Sequence, residues 1–213
     1  MILITGATGN TGNAIIDFLL EKGARLGTIA AMVNHRKKAA DLLLKGIIVR
    51  IGDYNNCAPL VDAFYRVDKL LLVSGADLEN RVNKTQNTIK AAQQAGVKHI
   101  FYTRFDHKDE TENMPLELVA RTRKYTEKVI RESGIPYTIF RNTVYSNTLP
   151  FYLPEKVAET SVVFPGTDTT AAYTLRSYMA EATANLLMSE GHTNKEYHLS
   201  HTESRSSIRS LLH

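Results

Sequence analysis

The sequence predicts an α/β fold in which a doubly wound parallel sheet is covered by helices on both faces. From residue 1 to about residue 141, short apolar runs alternate with longer segments of helical period, which is the pattern of repeated βαβ units. Several of the short runs are apolar throughout, as expected for parallel strands with both faces covered. Together these two observations predict a Rossmann-type fold.

Six strands are expected in this region, at residues 2–5, 28–33, 47–51, 69–73, 98–103 and 136–140. The helices expected between them span about 11–22, 36–44, 57–65, 80–95 and 114–133. A glycine follows each of four helical segments, at the place where a left-handed residue commonly ends a helix. These glycines are Gly23, Gly46, Gly96 and Gly134.

After residue 141 the alternation loosens. Three prolines precede one further expected helix at about 174–189 and a strand at 195–199, and a polar, Ser-rich tail begins at Ser200. We therefore predict a dinucleotide-binding unit over residues 1–141. Residues 142–213 are predicted to form a short, truncated substrate-side region packed on the same domain.

Composition limits the class of protein. The chain has 213 residues, 43% of them hydrophobic and 23% charged, so one domain can build a full core. Its single cysteine, Cys57, excludes an internal disulfide and favours a cytoplasmic location. The apolar runs have the length of strands, so no membrane span is expected. The net charge of +4 is not concentrated in a block, so we expect no nucleic-acid partner.

A glycine-rich loop links the first strand to the first helix. Residues 6–12 read Gly6-Ala7-Thr8-Gly9-Asn10-Thr11-Gly12, which is the spacing of a dinucleotide-binding loop in the required strand-to-helix context. Amides at the helix N-terminus would meet the phosphates. The alternative is an ordinary glycine turn. Cofactor contacts are predicted for Gly6, Thr8, Gly9, Asn10, Thr11 and Gly12.

The stretch after the second strand indicates the cofactor. NAD-specific sites place an acid about 20 residues after the loop, where it binds the ribose 2′-hydroxyl. Here the sequence is Asn34-His35-Arg36-Lys37-Lys38, without an acid. Arginine and lysine pair with a 2′-phosphate. We therefore predict NADP(H), with contacts from Asn34, Arg36 and Lys37, although a solvated basic helix start would have the same composition.

The loop and four further stretches resemble the NmrA-like branch of the atypical short-chain dehydrogenases, particularly its NAD(P)H:quinone oxidoreductases and triphenylmethane reductases. The further stretches are 52–54, 69–75, 95–100 and 135–142. The resemblance covers roughly residues 1–200 and implies hydride transfer from a nicotinamide cofactor to a quinone or similar conjugated acceptor. Some members bind the cofactor but act as non-catalytic, redox-sensing regulators, which is the alternative function.

The resemblance also implies further cofactor contacts. Asp53 and Tyr54 follow the third strand, on the adenine side, and Ser74 and Gly75 end the fourth strand, along the ribose and nicotinamide. Asp53 has the alternative of capping a turn. Thr103, near the end of the fifth strand, is the remaining predicted contact in a strand.

The usual catalytic pattern of short-chain dehydrogenases, Tyr-x-x-x-Lys, is missing. Arg104 stands where relatives have a small residue, so it either narrows the nicotinamide pocket or turns outward. Arg123 replaces a Lys or His four residues before Glu127. Because an arginine does not exchange protons at neutral pH, Arg123 is predicted to bind cofactor hydroxyls or phosphate. Its alternative is a solvated position.

Asn142, at the end of the sixth strand, is the predicted catalytic residue. It would orient the nicotinamide or hydrogen-bond an acceptor oxygen; otherwise it is a turn residue. Quinone reduction depends chiefly on hydride delivery and positioning, so a dedicated proton donor is not required. Tyr145 either walls the acceptor site or packs on the sheet, and no metal site is expected.

Relatives continue beyond the strand at 195–199 into helices that close over the acceptor. We therefore expect weak, poorly saturating turnover unless a second subunit of a homodimer covers the opening.

Overall fold

The computed structural model describes residues 1–75, 80–106, 117–152, 170–201 and 205–206. The strands are β1 (Ile2–Ile4), β2 (Ile29–Val33), β3 (Ile48–Ile51), β4 (Lys69–Leu72), β5 (His99–Phe105), β6 (Tyr137–Asn142), β7 (Thr170–Ala171), β8 (Lys195–Leu199) and β9 (Arg205–Ser206). The helices are α1 (Asn10–Glu21), α2 (Ala40–Leu44), α3 (Cys57–Ala63), α4 (Arg81–Gln94), α5 (Glu117–Glu132) and α6 (Arg176–Met188).

Seven strands form one parallel sheet in the order β3-β2-β1-β4-β5-β6-β8. The chain starts in the middle of the sheet, where β1 pairs with β2 on one side and with β4 on the other. The strand order therefore reverses beside β1, and in open α/β sheets ligands bind in the crevice at the carboxyl ends of the strands at such a point. The predicted doubly wound α/β fold is confirmed.

Two apolar clusters cover the two faces of the sheet. On one face, α3, α4 and α5 contribute buried residues that include Leu60, Ile89 and Ile130. On the other face, the apolar side of α1 packs with α2 and α6. Lys22 Nζ also donates to Glu181 Oε1 of α6 at 2.8 Å.

The expected strands and helices are present with small shifts at their ends. All four predicted helix-ending glycines have positive φ, between +71° and +85°. Residues 36–39 form a 3-10 helix before α2, and residues 114–116 of the fifth expected helix lie outside the described residues. The structure also pairs β7 with β9 in a small antiparallel sheet, which the sequence did not predict because two-residue strands show no alternation.

β5 and β6 run two residues further than predicted and pair Arg104 with Arg141 and Phe105 with Asn142. The prediction ended both strands where an arginine interrupts the apolar run. The strands continue because these arginines find carboxylate partners, which are described below.

Within the described part of the chain, none of the helices combines the length and hydropathy that a bilayer-spanning segment needs.

Candidate functional site

A cavity of about 410 Å³ lies at the carboxyl ends of the central strands. Its walls come from the segments that follow β1, β2, β3 and β4, together with the first turns of α4 and side chains of β5 and α5. The position is the one expected for a nucleotide beside a reversal of strand order. Among the predicted contacts, the lining includes Gly6, Thr8, Asn34, Asp53, Tyr54, Ser74 and Gly75.

The glycine loop is held in a tight turn at the base of the cavity. Gly6 has φ of +60°, a left-handed conformation that favours glycine, and Gly9 N donates to Gly6 O at 3.0 Å. A Cβ on Gly12 would lie 2.4 Å from Gly6 O, so only glycine lets α1 approach the loop this closely. α1 begins at Asn10, and its N-cap residue Gly9 has no side chain that could bond to the first amides of the helix. Contacts between the cofactor phosphates and the backbone at the start of α1 stay predictions for Gly9, Asn10, Thr11 and Gly12.

Two threonines fix the segment that follows β4. Thr5 Oγ1 accepts from Val73 N at 3.1 Å, and Thr103 Oγ1 accepts from Ser74 N at 3.0 Å. Thr103 is buried and outside the cavity lining, so the contact seen for it is with the protein backbone. Its role toward the cofactor stays a prediction, whereas its hydrogen bond explains how Ser74 is positioned.

In the basic stretch after β2, the lysine that lines the cavity is not one of the residues predicted to bind the cofactor. Asn34 and Lys38 line the cavity, whereas Arg36 and Lys37 do not. The reason is the 3-10 helix at 36–39, whose tighter period turns other side chains toward the cavity than an α-helix would. The composition indicated a phosphate site but could not reveal this local geometry.

Lys38 is therefore expected to make the larger contribution to NADPH selectivity. Replacing Lys38 with glutamate removes a charge-assisted contact worth roughly 1.5–3 kcal/mol and should weaken NADPH binding by about tenfold or more. NADH binding should change much less. Calorimetric titration with both nucleotides tests this, with Lys37→Glu as the matched variant. A loss of NADPH affinity in Lys37→Glu alone would support the sequence prediction and contradict the assignment to Lys38.

Asp53 stabilises a turn, and its contact with the cofactor stays a prediction. Its Oδ1 accepts from the backbone and side-chain nitrogens of Asn55, each at 2.9 Å, and so stabilises a turn. Asp53 also lines the cavity. Tyr54 is half-buried beside it, and burial raises the pKa of its phenol.

Several polar residues of the lining were missed in the sequence, among them Arg81 and Lys84 of α4, Tyr102 of β5 and Thr126 of α5. Arg81 Nη1 donates to Gly75 O at 3.0 Å. Tyr102 is 3% exposed, and its hydroxyl is buried with no hydrogen-bond partner among the described residues. Burial raises the pKa of Tyr102, so its hydroxyl stays protonated. No local motif marks these residues; only the position of α4 after β4 could have indicated the two cations.

Arg104 does not turn outward. Its side chain is 1% exposed, and Nη1 donates to Glu127 Oε1 at 2.6 Å. The second oxygen of Glu127 accepts from Arg141 Nη2 at 3.1 Å, so one buried carboxylate of α5 serves arginines of two adjacent strands. In the sequence, Glu127 served only to define the position of Arg123, and its pairing with the two arginines was not predicted.

Asn142 ends β6 and Arg123 lies in α5, and both are outside the lining of the cavity. Asn142 is 4% exposed; its Nδ2 donates to Tyr145 Oη at 3.0 Å, and its Oδ1 has no partner among the described residues. Arg123 is half-buried, with its guanidinium 5.8 Å from the centre of the Phe105 ring. Arg123 is thus only partly exposed and the Asn142 amide is held by a side chain, while the roles of both residues toward cofactor and acceptor stay predictions.

No group of three or more metal-ligating side chains occurs in the ranges that the structure describes.

Comparison with known proteins places these features in a family. Residues 1–201 match the NmrA-like family. The chain is 38% identical over 199 residues to quinone oxidoreductase 2 of Escherichia coli, a match that covers 93% of this chain and 68% of the relative. The chain thus spans about two thirds of the length of that relative.

Two solved structures show the same similarity in three dimensions. The NADPH complex of an NADPH-dependent quinone oxidoreductase from Escherichia coli superimposes with a TM-score of 0.87 at 35% identity, covering 99% of this chain and 72% of the other. The NADP(H) complex of the Citrobacter sp. triphenylmethane reductase gives 0.84 at 34% identity, covering 96% and 71%. The resemblance predicted from the loop and strand motifs is confirmed, and the chain belongs to the NmrA-like family.

Proposed function

We propose that this protein is an NADPH-dependent reductase that transfers a hydride to a quinone or a similar conjugated acceptor. The observation that carries the proposal is the cavity at the carboxyl edge, where a glycine loop and basic side chains meet at the reversal of strand order. The names of the relatives agree with the predicted oxidoreductase and with its NADPH cofactor. They favour the enzyme over the regulator.

The residues present fit a dinucleotide phosphate. Because Gly12 has no side chain, α1 can start close to Gly6, where its first amides could bind a pyrophosphate. Positive charge around the cavity comes from Lys38, Arg81 and Lys84. The side chains of Ser74 and Tyr102 line the cavity, and their hydroxyls are buried in its wall.

The protein contributes positioning to the reaction. NADPH, when bound, supplies the hydride. Asn142 retains one unpaired oxygen while its amide nitrogen is fixed on Tyr145, so its orientation is set before a ligand arrives. The Asn142 Oδ1 can accept a hydrogen bond from the carboxamide N–H of a nicotinamide, and the second hydrogen on Nδ2 can donate to an acceptor oxygen. Neither contact requires the amide to reorganise, which is how preoriented dipoles lower a barrier. Protons for the reduced acceptor come from solvent.

Asn142 can be tested with an isosteric apolar residue. Asn142→Leu removes the oriented amide and should lower kcat for quinone reduction by about a hundredfold. NADPH affinity should change less than threefold, because the phosphate and adenine contacts lie on the other strands. Stopped-flow reduction and a nucleotide titration give the two values. Unchanged kcat would show that Asn142 has no role in the chemical step.

Oxidation of NADPH with a panel of small quinones, run beside the titration of the nucleotide, tests the proposed function itself. Turnover of at least one quinone is the expected result. Tight NADPH binding with no turnover of any acceptor would reject the reductase and support the non-catalytic regulator.

Two further proposals concern the cellular compartment and the oligomeric state. The unpaired Cys57 supports a reducing, cytoplasmic compartment. A homodimer and the division of the chain at residues 141 and 142 remain predictions; β8 joins the same sheet as the first six strands.

A further inference from the structure

Two arginines near the predicted catalytic asparagine have no carboxylate partner among the described residues. The guanidinium of Arg176 lies 5.1 Å from the centre of the Tyr145 ring, and Tyr145 accepts the hydrogen bond from Asn142. Arg123 packs over Phe105, the residue that pairs with Asn142 across β5 and β6. We call Arg123, Asn142, Tyr145 and Arg176 the acceptor-side cluster.

The carboxylates described near this cluster have other partners. Glu127 pairs with Arg104 and Arg141, and Glu196 pairs with Arg131 and Arg141. Asp106 Oδ2 lies 2.8 Å from His198 Nδ1. Among the described residues, no ion pair reaches Arg123 or Arg176.

Arg123 is also held in an unfavourable environment for a cation. Its Nε is buried without a hydrogen-bond partner among the described residues. Burial lowers the pKa of Arg123, and the neighbouring positive charges of Arg81 and Arg104 act in the same direction. A half-buried guanidinium that no carboxylate neutralises costs free energy, which an anionic ligand would recover.

Neutral polar groups complete the cluster. Ser146 Oγ and Thr174 Oγ1 are buried without partners in the part of the chain that the structure describes, as is Asn142 Oδ1. Backbone hydrogen bonds join these segments, since Ser146 N donates to Thr174 O at 3.0 Å and Thr174 N donates to Val144 O at 3.0 Å. The two hydroxyls can therefore donate to a ligand oxygen from one fixed piece of backbone.

We propose that the acceptor reduced by this protein carries an anionic substituent, a carboxylate, sulfonate or phosphate, that Arg123 binds with help from Arg176. The proposal rests on the proposed reductase function and specifies its substrate class. Guanidinium groups suit such oxyanions because they donate two parallel hydrogen bonds. The neutral part of the acceptor then lies beside Tyr145 and Asn142.

Matched acceptors test the selectivity. The rates of reduction of 1,4-naphthoquinone and of 1,4-naphthoquinone-2-sulfonate by NADPH are compared in the wild type and in Arg123→Gln. The ratio of kcat/KM values for the sulfonate over the neutral quinone should fall by about tenfold or more in Arg123→Gln. Comparing this ratio between the two proteins cancels any intrinsic difference in reactivity between the two quinones. Arg176→Gln should lower it in the same direction, and Arg123→Lys should restore part of it.

Arg121→Gln is the control, because Arg121 is exposed on the same helix two residues away. It should leave the ratio unchanged. An equal fall in Arg121→Gln would attribute the effect to general surface charge and overturn the proposal. An unchanged ratio in both Arg123→Gln and Arg176→Gln would also overturn it, as would a rise in the KM for NADPH that accounts for the whole effect.

A binding experiment separates this inference from the proposed function. Naphthalene-2-sulfonate is titrated into the NADP⁺-loaded protein, and its affinity should fall about tenfold in Arg123→Gln. This result would support the anionic site even if no quinone were reduced. Equal affinity for naphthalene-2-sulfonate and 2-naphthol, or full displacement by sulfate at the same concentration, would overturn it.

Discussion

Replacing Gly12 with alanine is expected to reduce NADPH affinity by at least about a hundredfold. The added Cβ would lie 2.4 Å from Gly6 O and 2.9 Å from the Cα of Ala7, both of which are backbone atoms that no rotamer change can move. Either α1 shifts away from β1 or the loop opens. Both changes displace the amides that would bind the pyrophosphate, and a displacement of this size removes their hydrogen bonds. Titration of NADPH by fluorescence or calorimetry measures the loss.

Gly27→Ala is the matched control. A Cβ on Gly27 meets no atom within 4 Å, and Gly27 lies in a 3-10 turn outside the cavity lining. Its NADPH affinity and melting temperature should stay near those of the wild type. If Gly12→Ala bound NADPH normally while remaining folded, the loop would not be the phosphate site.

The second large effect concerns stability and falls on Glu127. Glu127→Gln keeps the shape of the side chain but removes the negative charge that Arg104 and Arg141 share. Because Arg104 is almost completely buried, it would lose the neutralising charge of Glu127 in the interior. Removing one partner of a buried ion pair typically costs about 3–5 kcal/mol, so the free energy of unfolding should fall by that amount. Urea denaturation followed by circular dichroism measures the change.

Glu132→Gln serves as the comparison on the same helix. Glu132 forms an exposed pair with Lys128 at 3.9 Å, and such surface pairs contribute about 0–1 kcal/mol. Restoration of stability in the double variant Glu127→Gln/Arg104→Met would confirm that the buried Arg104 cation, without the charge of Glu127, causes the loss. Equal, small effects of Glu127→Gln and Glu132→Gln would refute the role of the buried network.

The alternation of apolar runs and helical segments was sufficient to predict the fold, because parallel strands and their crossover helices leave that pattern directly in the sequence. The helix-ending glycines were predicted for the same reason: a left-handed residue needs glycine, and φ at Gly23 is +85°. The ends of β5 were not predictable. Arg104 reads as a surface residue until Glu127, 23 positions later in the chain, is known to pack against it.

The residues of the cavity also divide into those that a local sequence motif marks and those that only the tertiary packing brings together. The loop and the segments after β3 and β4 carry local motifs, so several of their residues could be placed on the cavity from the sequence. Arg81, Tyr102 and Thr126 reach the cavity from three separate elements, and only the tertiary packing of α4 and α5 brings them together. Lys38 was missed by one position because a short 3-10 helix has no signature that distinguishes it from the start of an α-helix.

The packing of α1 on α6 has a consequence for synthesis on the ribosome. The helix that begins at the glycine loop buries Ile15 and Leu19 in a cluster that includes Ala184 and Leu187. A translating ribosome needs roughly 10 to 30 seconds to pass from Leu19 to Ala184, at rates of about 5–20 residues per second. During that interval the apolar face of α1 lacks its final partner and is open to chaperones. The helix that follows the glycine loop is therefore synthesised well before α6, the helix that completes its packing.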